Sequence, residues 1–154
     1  MKTRTVVLTL AALFSVVSVG FAADANMGTW KLNEAKSKMS ADAPKNGTVV
    51  YEAAGDSVKI TVDGTDSGGK PTHNEWTGKF DGKDYAVTGD PAADMRSYKR
   101  VNDHTLSMTV KKDGKTTMSG TIKVAADGKS RTVAVHGTDA KGKKMTSTAA
   151  YDKQ

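Results

Sequence analysis

Apolar and polar residues alternate along this chain in short runs, such as 58–62, 106–110 and 118–124. A period of two places one face of a strand against a core and the other face in water. The runs are separated by residue pairs that accept positive φ in tight hairpins, among them Asp113-Gly114 and Asp127-Gly128. The pattern predicts an all-β protein, because no window of eleven or more residues has helical spacing.

One stretch occurs twice in the sequence. Residues 47–70 reappear 73 positions later as 120–143, and 11 of the 24 aligned positions are identical. Each copy has the pattern of two alternating strands joined at glycine. We interpret the chain as a series of hairpins, whether the repeat arose by duplication or from the shared demands of similar hairpins. The segment 33–46 lacks the pattern, and we expect a helical turn or an open loop there.

Alternation also constrains how neighbouring strands pair, because a slip of one residue moves every side chain to the other face. A three-residue loop ending at Gly114 pairs Met108 with Met118 and keeps both on one face. A two-residue loop at Asp127-Gly128 would work in the second repeat copy.

That loop pairs Ile122 with Val133, and the repeat transfers the register to Val49 and Ile60 in the first copy. About ten consecutive antiparallel strands predict an up-and-down meander that closes into a small barrel of 8–10 strands, since closure removes exposed edges. A two-sheet sandwich is the alternative.

The first 22 residues have the layout of a cleavable secretory signal. Lys2 and Arg4 precede an apolar run at 6–19, and Gly20-Phe21-Ala22 supplies small residues for cleavage. The run of 14 residues is shorter than the roughly 20 that a membrane-spanning helix needs. We therefore expect an exported protein, periplasmic or extracellular, in which 1–22 is removed and 23–154 forms a single β-barrel domain without a membrane span.

Composition excludes several classes of function. The chain has no cysteine, which rules out disulfides, thiol chemistry and thiolate metal sites. Its net charge of +6 falls to +4 without Lys2 and Arg4, and the lysines are scattered among turns, so we expect no nucleic-acid partner. The ten Val, two Leu, two Ile and one Phe of 23–154 predict a small, partly polar interior.

No catalytic or metal-binding pattern is present. His73 and Glu75 share one strand face, but Trp76 and Phe80 mark the opposite face as the buried one, so we interpret them as a surface pair. No serine lies in a Gly-x-Ser-x-Gly elbow, and no glycine-rich turn opens a helix. We expect a protein that is not an enzyme and that has neither a cofactor nor a metal.

Gly28-x-Trp30 resembles the opening strand of lipocalins and fatty-acid-binding proteins, in which the tryptophan closes the barrel floor. The mature chain is also similar to small exported bacterial proteins described as lipocalin-like, for example at 79–85 and 87–91. The resemblance implies structural roles for Gly28 and Trp30 and an interior that takes a small hydrophobic or amphipathic ligand. Fatty-acid-binding proteins hold the ligand carboxylate partly through an arginine two residues before a tyrosine on the last strand. Tyr151 fits that tyrosine, but Ala149 occupies the arginine position.

Two functions follow from a barrel of this kind. In the first, the interior binds a small hydrophobic or amphipathic ligand in a cavity of a few hundred Å³ or more. In the second, the protein is a non-catalytic structural or interaction module with a filled interior and an exposed apolar patch. Arg96, Tyr98 and Arg100 share one strand face and would hold an anionic head group if that face points inward. The ligand identity and the oligomeric state are left open, and the predicted ligand contacts are Tyr51, Ile60, Trp76, Phe80, Tyr98, Arg100, Met108 and Met118.

Overall fold

The computed structural model describes residues 24–41, 43–138 and 141–154. The predicted leader, residues 1–22, lies outside the described residues. One 3₁₀ turn, Glu34–Lys36, falls in the segment that lacks alternation. No helix in the described part of the chain has the length and apolarity needed to cross a membrane. The strands are β1 (Gly28–Leu32), β2 (Lys45–Ala54), β3 (Ser57–Thr65), β4 (Pro71–Gly78), β5 (Tyr85–Thr88), β6 (Met95–Asn102), β7 (Thr105–Lys112), β8 (Lys115–Val124), β9 (Ser130–Thr138) and β10 (Lys144–Lys153).

The strands form a closed antiparallel barrel. Each strand pairs with the next along the chain, and β10 returns to pair with β1. Trp30 of β1 therefore lies opposite both Val49 of β2 and Lys153 of β10. Because the first strand has a neighbour on each side, the sheet has no free edge. The predicted up-and-down barrel is confirmed, with ten strands, and the sandwich alternative is wrong.

The strand pairings align the inward-facing residues of β6 to β10 in four rows across the sheet. We call the end of the barrel with the Val124 row the closed end, and the end with the Arg96 row the open end. In order from the closed end, the rows are Val124-Arg131-Tyr151, Arg100-Leu106-Ile122-Val133-Ala149, Tyr98-Met108-Gly120-Val135-Ser147 and Arg96-Val110-Met118-Gly137-Met145.

Residues 24–27 cross the closed end of the barrel. Asp24 precedes β1, yet its carboxylate pairs with Arg100 of β6, on the opposite side of the closed sheet. Asn26 is fully buried, and its backbone carbonyl accepts a hydrogen bond of 2.8 Å from Trp30 Nε1. Trp30 is fully buried as well, because this segment excludes solvent from its ring.

The hairpin of β7 and β8 differs from the prediction in its turn. Asp113 and Gly114 both have positive φ, 50° and 75°, and form a two-residue turn, so the predicted three-residue loop is wrong. A bulge beside Val110 then adds one residue to β8 and restores the alternation. Met108 and Met118 consequently share the inward face, as predicted, although Met108 pairs with Gly120 instead.

The two repeat copies adopt different registers. In the second copy Ile122 lies opposite Val133, which confirms the predicted register. In the first copy Ile60 lies opposite Tyr51, and Val49 lies opposite Val62, so the predicted pair of Val49 with Ile60 is wrong by two residues. An even shift leaves the same side chains on the inward face, and the core pattern therefore survives.

Candidate ligand site inside the barrel

The aromatic residues predicted to contact a ligand pack against one another toward the closed end. The ring of Trp76 stacks on Phe80 with a centroid distance of 6.4 Å and meets Tyr98 edge-on at 4.8 Å. Tyr51 lies 6.5 Å from Phe80, and Ile60 beside Tyr51 is fully buried. These five side chains form one continuous cluster. We call the part of the interior that they occupy the closed half, and the rest of the interior the open half.

Hydrogen bonds fix the two tryptophans. Trp76 Nε1 donates to the backbone carbonyl of Arg96 over 2.8 Å in a buried position. Trp30 Nε1 donates to Asn26, as described above. Gly28 has a φ of 105°, and a Cβ there would meet Lys153 Cε at 3.0 Å, so glycine suits the start of β1. The structure thus places Gly28 and Trp30 at the closed end.

Arg131 is an interior residue that the sequence reasoning missed. Its guanidinium lies over three rings, 4.7 Å from Trp30, 4.9 Å from Tyr51 and 4.9 Å from Tyr151. Nε and Nη1 have no hydrogen-bond partner among the described residues. The signal was available, because position 131 continues the alternation of Val133 and 135 on the inward face.

Burial also changes the acidity of the interior phenols. It raises the pKa of Tyr98 to about 12, against an opposing effect of Arg96. It likewise raises the pKa of Tyr151 to about 12, although Arg131 lowers it. Both phenols are therefore neutral hydrogen-bonding groups at neutral pH, and the positive charge of the nearby guanidiniums is not balanced by phenolate.

Arg100 shares the inward face of β6 with Arg96 and Tyr98, but it lies at the rim of the closed end. Its guanidinium pairs with Asp24 and lies 5.5 Å from the centre of the Phe80 ring. Burial alone would raise the pKa of Asp24, but hydrogen bonds from Asn26 and Arg100 outweigh it, and the pKa is lowered. Arg100 is therefore engaged in holding the segment that crosses this end.

Arg96 lies in the open half on the same face, and its side chain is 9% exposed. Its Nη1 and Nη2 lie 3.5 and 3.4 Å from Asn74 Oδ1, and Nη2 lies 3.6 Å from Asp90 Oδ2. Nε has no hydrogen-bond partner in the described chain. Arg96 thus lacks the close carboxylate contact that Arg100 makes at the other end of β6, and its side chain also interacts with the Tyr98 hydroxyl.

On β8 to β10, inward-facing side chains become more accessible toward the open end. In the second row, Leu106 and Ile122 are buried at 0% and 2% exposure. In the third row, Met108 is only partly buried, and Met118 in the fourth row is too. Met145, which ends the fourth row, is 41% exposed. The packed core thus thins along β8 to β10, whereas Tyr98 and Val110 of the same two rows stay buried at 3% and 8% exposure.

The strands contribute no acidic side chain to the interior. Asp and Glu occur in the ten strands at outward positions only, which are Glu52, Asp63, Glu75 and Asp152. Arg96 and Arg131 both point inward. The interior lining supplied by the strands is therefore positively charged.

Two concavities of the described chain lie outside the interior. One, of about 350 Å³, is lined mainly by outward side chains of β7 to β10, including Thr109, Ser119 and His136. The other, of about 240 Å³, lies beside the 3₁₀ turn and includes Met39 and Lys45. An enclosed interior cavity is not among them, in contrast to the expectation for a ligand-binding barrel.

His73 lies on the outer wall. Its Nδ1 is 2.6 Å from Asp63 Oδ1, and its Nε2 is 3.6 Å from Glu75, which also pairs with Lys59 at 2.9 Å. The hydrogen bond to Asp63 raises the pKa of His73. Within residues 24–41, 43–138 and 141–154, no group of three or more His, Cys, Asp or Glu side chains is arranged to hold a metal ion.

No family model matches the chain, and no curated protein is significantly similar to it. A solved structure described as EF1p2_mFAP2b bound to DFHBI is 14% identical, with a TM-score of 0.48, over 86% of this chain and 97% of the other. A redesigned β-barrel, b11L5F_LGL, is 15% identical, with a TM-score of 0.44, over 86% of this chain and 95% of the other. The function of this chain therefore has to be argued from its own residues.

Proposed function

We propose that this barrel binds one small hydrophobic or amphipathic molecule in the open half of its interior, and that it has no catalytic activity. The observation that carries the proposal is the partial exposure of Met108 and Met118 on the inward face, next to the buried Leu106, Val110 and Ile122. Apolar side chains that face a barrel interior and still contact solvent leave apolar surface for a ligand to cover.

The closed half is not part of the proposed site. Trp30, Ile60 and Trp76 are at most 1% exposed, and their neighbours fill the space between the walls. Tyr51 and Tyr98 belong to the same packed cluster. Among the predicted contacts we therefore assign Met108 and Met118 to the ligand, and the aromatic residues to the floor on which it rests.

Export and a lipocalin-like ancestry are part of the same proposal. The charged start, short apolar run and small residues of 1–22 support export to the periplasm or the medium. Gly28, Trp30 and the ten-strand meander support a relation to lipocalin-like barrels.

The interaction-module alternative is favoured by the packed closed half. An interaction module would present a continuous exposed apolar patch. The exposed Met95 and Val101 of β6 do not form one, because Ser97 and Lys99 separate them along the strand.

A pair of matched variants separates the two functions. Val135→Phe adds a ring on the inward face of the third row, whereas His136→Phe adds the same ring on the outer wall of the same strand. We expect Val135→Phe to weaken binding of the neutral dye Nile red about tenfold or more and His136→Phe to leave it unchanged, since an occupied pocket excludes the dye. Native mass spectrometry of protein purified from its own compartment then looks for a co-purified small molecule. No dye binding and no co-purified molecule would instead establish the module.

A further inference from the structure

Arg96 is a buried, inward-facing cation of the open half, and its charge is incompletely compensated by the described residues. Its side chain is more than nine-tenths buried, and Nε has no partner among the described residues. Its nearest carboxylate, Asp90, is 3.6 Å away, and its contacts with Asn74 are 3.4 and 3.5 Å long. Charge-assisted hydrogen bonds of guanidinium to an oxyanion are normally about 2.7–2.9 Å long. The guanidinium therefore retains hydrogen-bonding capacity, at Nε at least, that its described neighbours do not use.

The other interior cations are already engaged. Arg131 lies over three aromatic rings at the closed end. Arg100 pairs with Asp24 at the rim of the same end. Arg96 alone shares its cross-strand row with the accessible side chain of Met118. A ligand in the open half would thus meet one guanidinium and an apolar wall.

Asp90 belongs to the loop between β5 and β6, which lies at the open end. Its Oδ1 accepts a hydrogen bond from the backbone of Ala92 at 2.9 Å, so the loop itself orients the carboxylate. Its Oδ2 makes the long contact with Arg96. An incoming anion at Arg96 would repel this carboxylate, because like charges at a few Å destabilise each other when partly buried.

Resting on the proposed interior site, we propose that Arg96 binds the anionic head group of the ligand, and that Asp90 is a built-in competitor which this head group displaces. The ligand class is an amphiphile with one carboxylate, sulfate or phosphate group, whose apolar part covers Met108 and Met118. Asn74 is the group that Arg96 retains, since an amide oxygen carries no full charge and tolerates a neighbouring anion.

The test compares head groups on a constant tail in the full-length mature protein. Decanoate, decyl phosphate, decanol and decyltrimethylammonium, each below its micelle concentration, compete with Nile red. We expect the two anions to bind about tenfold or more tighter than decanol, as charge-assisted hydrogen bonds allow. This comparison uses the unaltered protein and is independent of how well any variant folds.

Three variants and one control variant then locate the effect. Arg96→Met should remove the preference for anions and leave decanol binding intact, and Arg96→Lys should restore part of it. Asp90→Asn should tighten decanoate binding about two- to fivefold, in the range of a partly exposed ion pair, without changing decanol. Arg100→Met, on the same strand face at the closed end, is the matched control and should keep the full preference.

The outcomes are separable. If decanol binds as tightly as decanoate, the anion site is overturned while the proposed ligand-binding function stands. If none of the four compounds displaces the dye, and the dye itself does not bind, the proposed function fails. If Arg96→Met abolishes the preference but Asp90→Asn has no effect on decanoate, Asp90 is not a competitor and that half of the inference is overturned.

Discussion

Replacing Trp76 with phenylalanine tests whether the closed half of the barrel is packed and dry. The indole is 1% exposed, stacks on Phe80 and meets Tyr98 edge-on. Its Nε1 is the hydrogen-bond donor to the Arg96 carbonyl, at 2.8 Å. Phenylalanine keeps a ring at this position but removes the donor and leaves part of the volume unfilled.

The expected loss can be worked from these contacts. A buried carbonyl left without its partner costs about 1–3 kcal/mol. The unfilled volume and the lost contacts add about 1–2 kcal/mol. The free energy of unfolding should therefore fall by about 2–5 kcal/mol, a large part of the roughly 5–15 kcal/mol of a typical domain. At about 3 °C per kcal/mol for a domain of this size, the Tm drops by about 6–15 °C.

Equilibrium urea unfolding followed by circular dichroism measures this loss, and the fluorescence of Trp30, the other tryptophan, provides a second probe of the same transition. Thr77→Ala is the control, because Thr77 is the next residue of β4 and faces solvent; it should stay within about 0.5 kcal/mol. A Trp76→Phe loss below about 1 kcal/mol would show that water replaces the indole at the Arg96 carbonyl. The closed half would then be hydrated, and its assignment as a packed floor would be refuted.

Gly120, the buried tyrosines and His73 provide three more tests. A Cβ on Gly120 would lie 2.5 Å from a carbonyl oxygen of the neighbouring strand. Gly120→Ala should therefore lower the free energy of unfolding, measured in urea, by about 1–3 kcal/mol. A neutral effect would contradict the close approach of β8 and β9. Burial raises the pKa of Tyr98 and Tyr151 to about 12, so their contribution to stability is complete below about pH 10 and lost as the pH rises toward 12. An ultraviolet titration should show these phenolates only as the protein unfolds; ionisation of every tyrosine near pH 10 in folded protein would contradict it. The hydrogen bond to Asp63 raises the pKa of His73, so His73→Gln should destabilise the protein more at about pH 5 than at about pH 9, and equal effects at both pH values would disprove the pairing.

Side-chain alternation predicted which residues share a strand face, and in the apolar runs it also predicted which face points inward. Arg96, Tyr98 and Arg100 lie two residues apart along β6 and so share one face, and in the structure that face points to the interior. Closure followed from the number of strands and the need to remove exposed edges. These features depend on local pattern, which a single sequence contains in full.

The register of the hairpins depends on details that alternation does not specify. Asp113-Gly114 suits a two-residue turn or a longer loop equally well. The choice was settled by the bulge beside Val110, which compensates for the shorter turn. A longer loop without a bulge and a shorter turn with a bulge both place Met118 on the inward face. The sequence therefore predicted the face of Met118 but not the residue that pairs with it.

The contacts that cover and pack the closed end of the barrel join residues that are far apart in the chain. Asp24 and Arg100 are 76 residues apart, and their pairing depends on how the segment before β1 crosses the closed end. Arg131 was overlooked because a lone cation in an alternating run is usually solvated. Only closure of the barrel brings the Arg131 guanidinium over the rings of Trp30, Tyr51 and Tyr151.

The two buried guanidiniums have different consequences for function. Burying an unpaired charge costs several kcal/mol, and an apolar residue in its place is often neutral or stabilising. For Arg131 the three rings offset that cost, at about 0.5–2 kcal/mol each, and the residue joins three walls of the closed end. Arg96 has no ring over its guanidinium among the described contacts, and its polar neighbours are Asn74, Asp90 and the neutral Tyr98 hydroxyl. An anion that enters the open half would give Arg96 a full counter-charge at hydrogen-bond distance, which Asp90 at 3.6 Å does not supply.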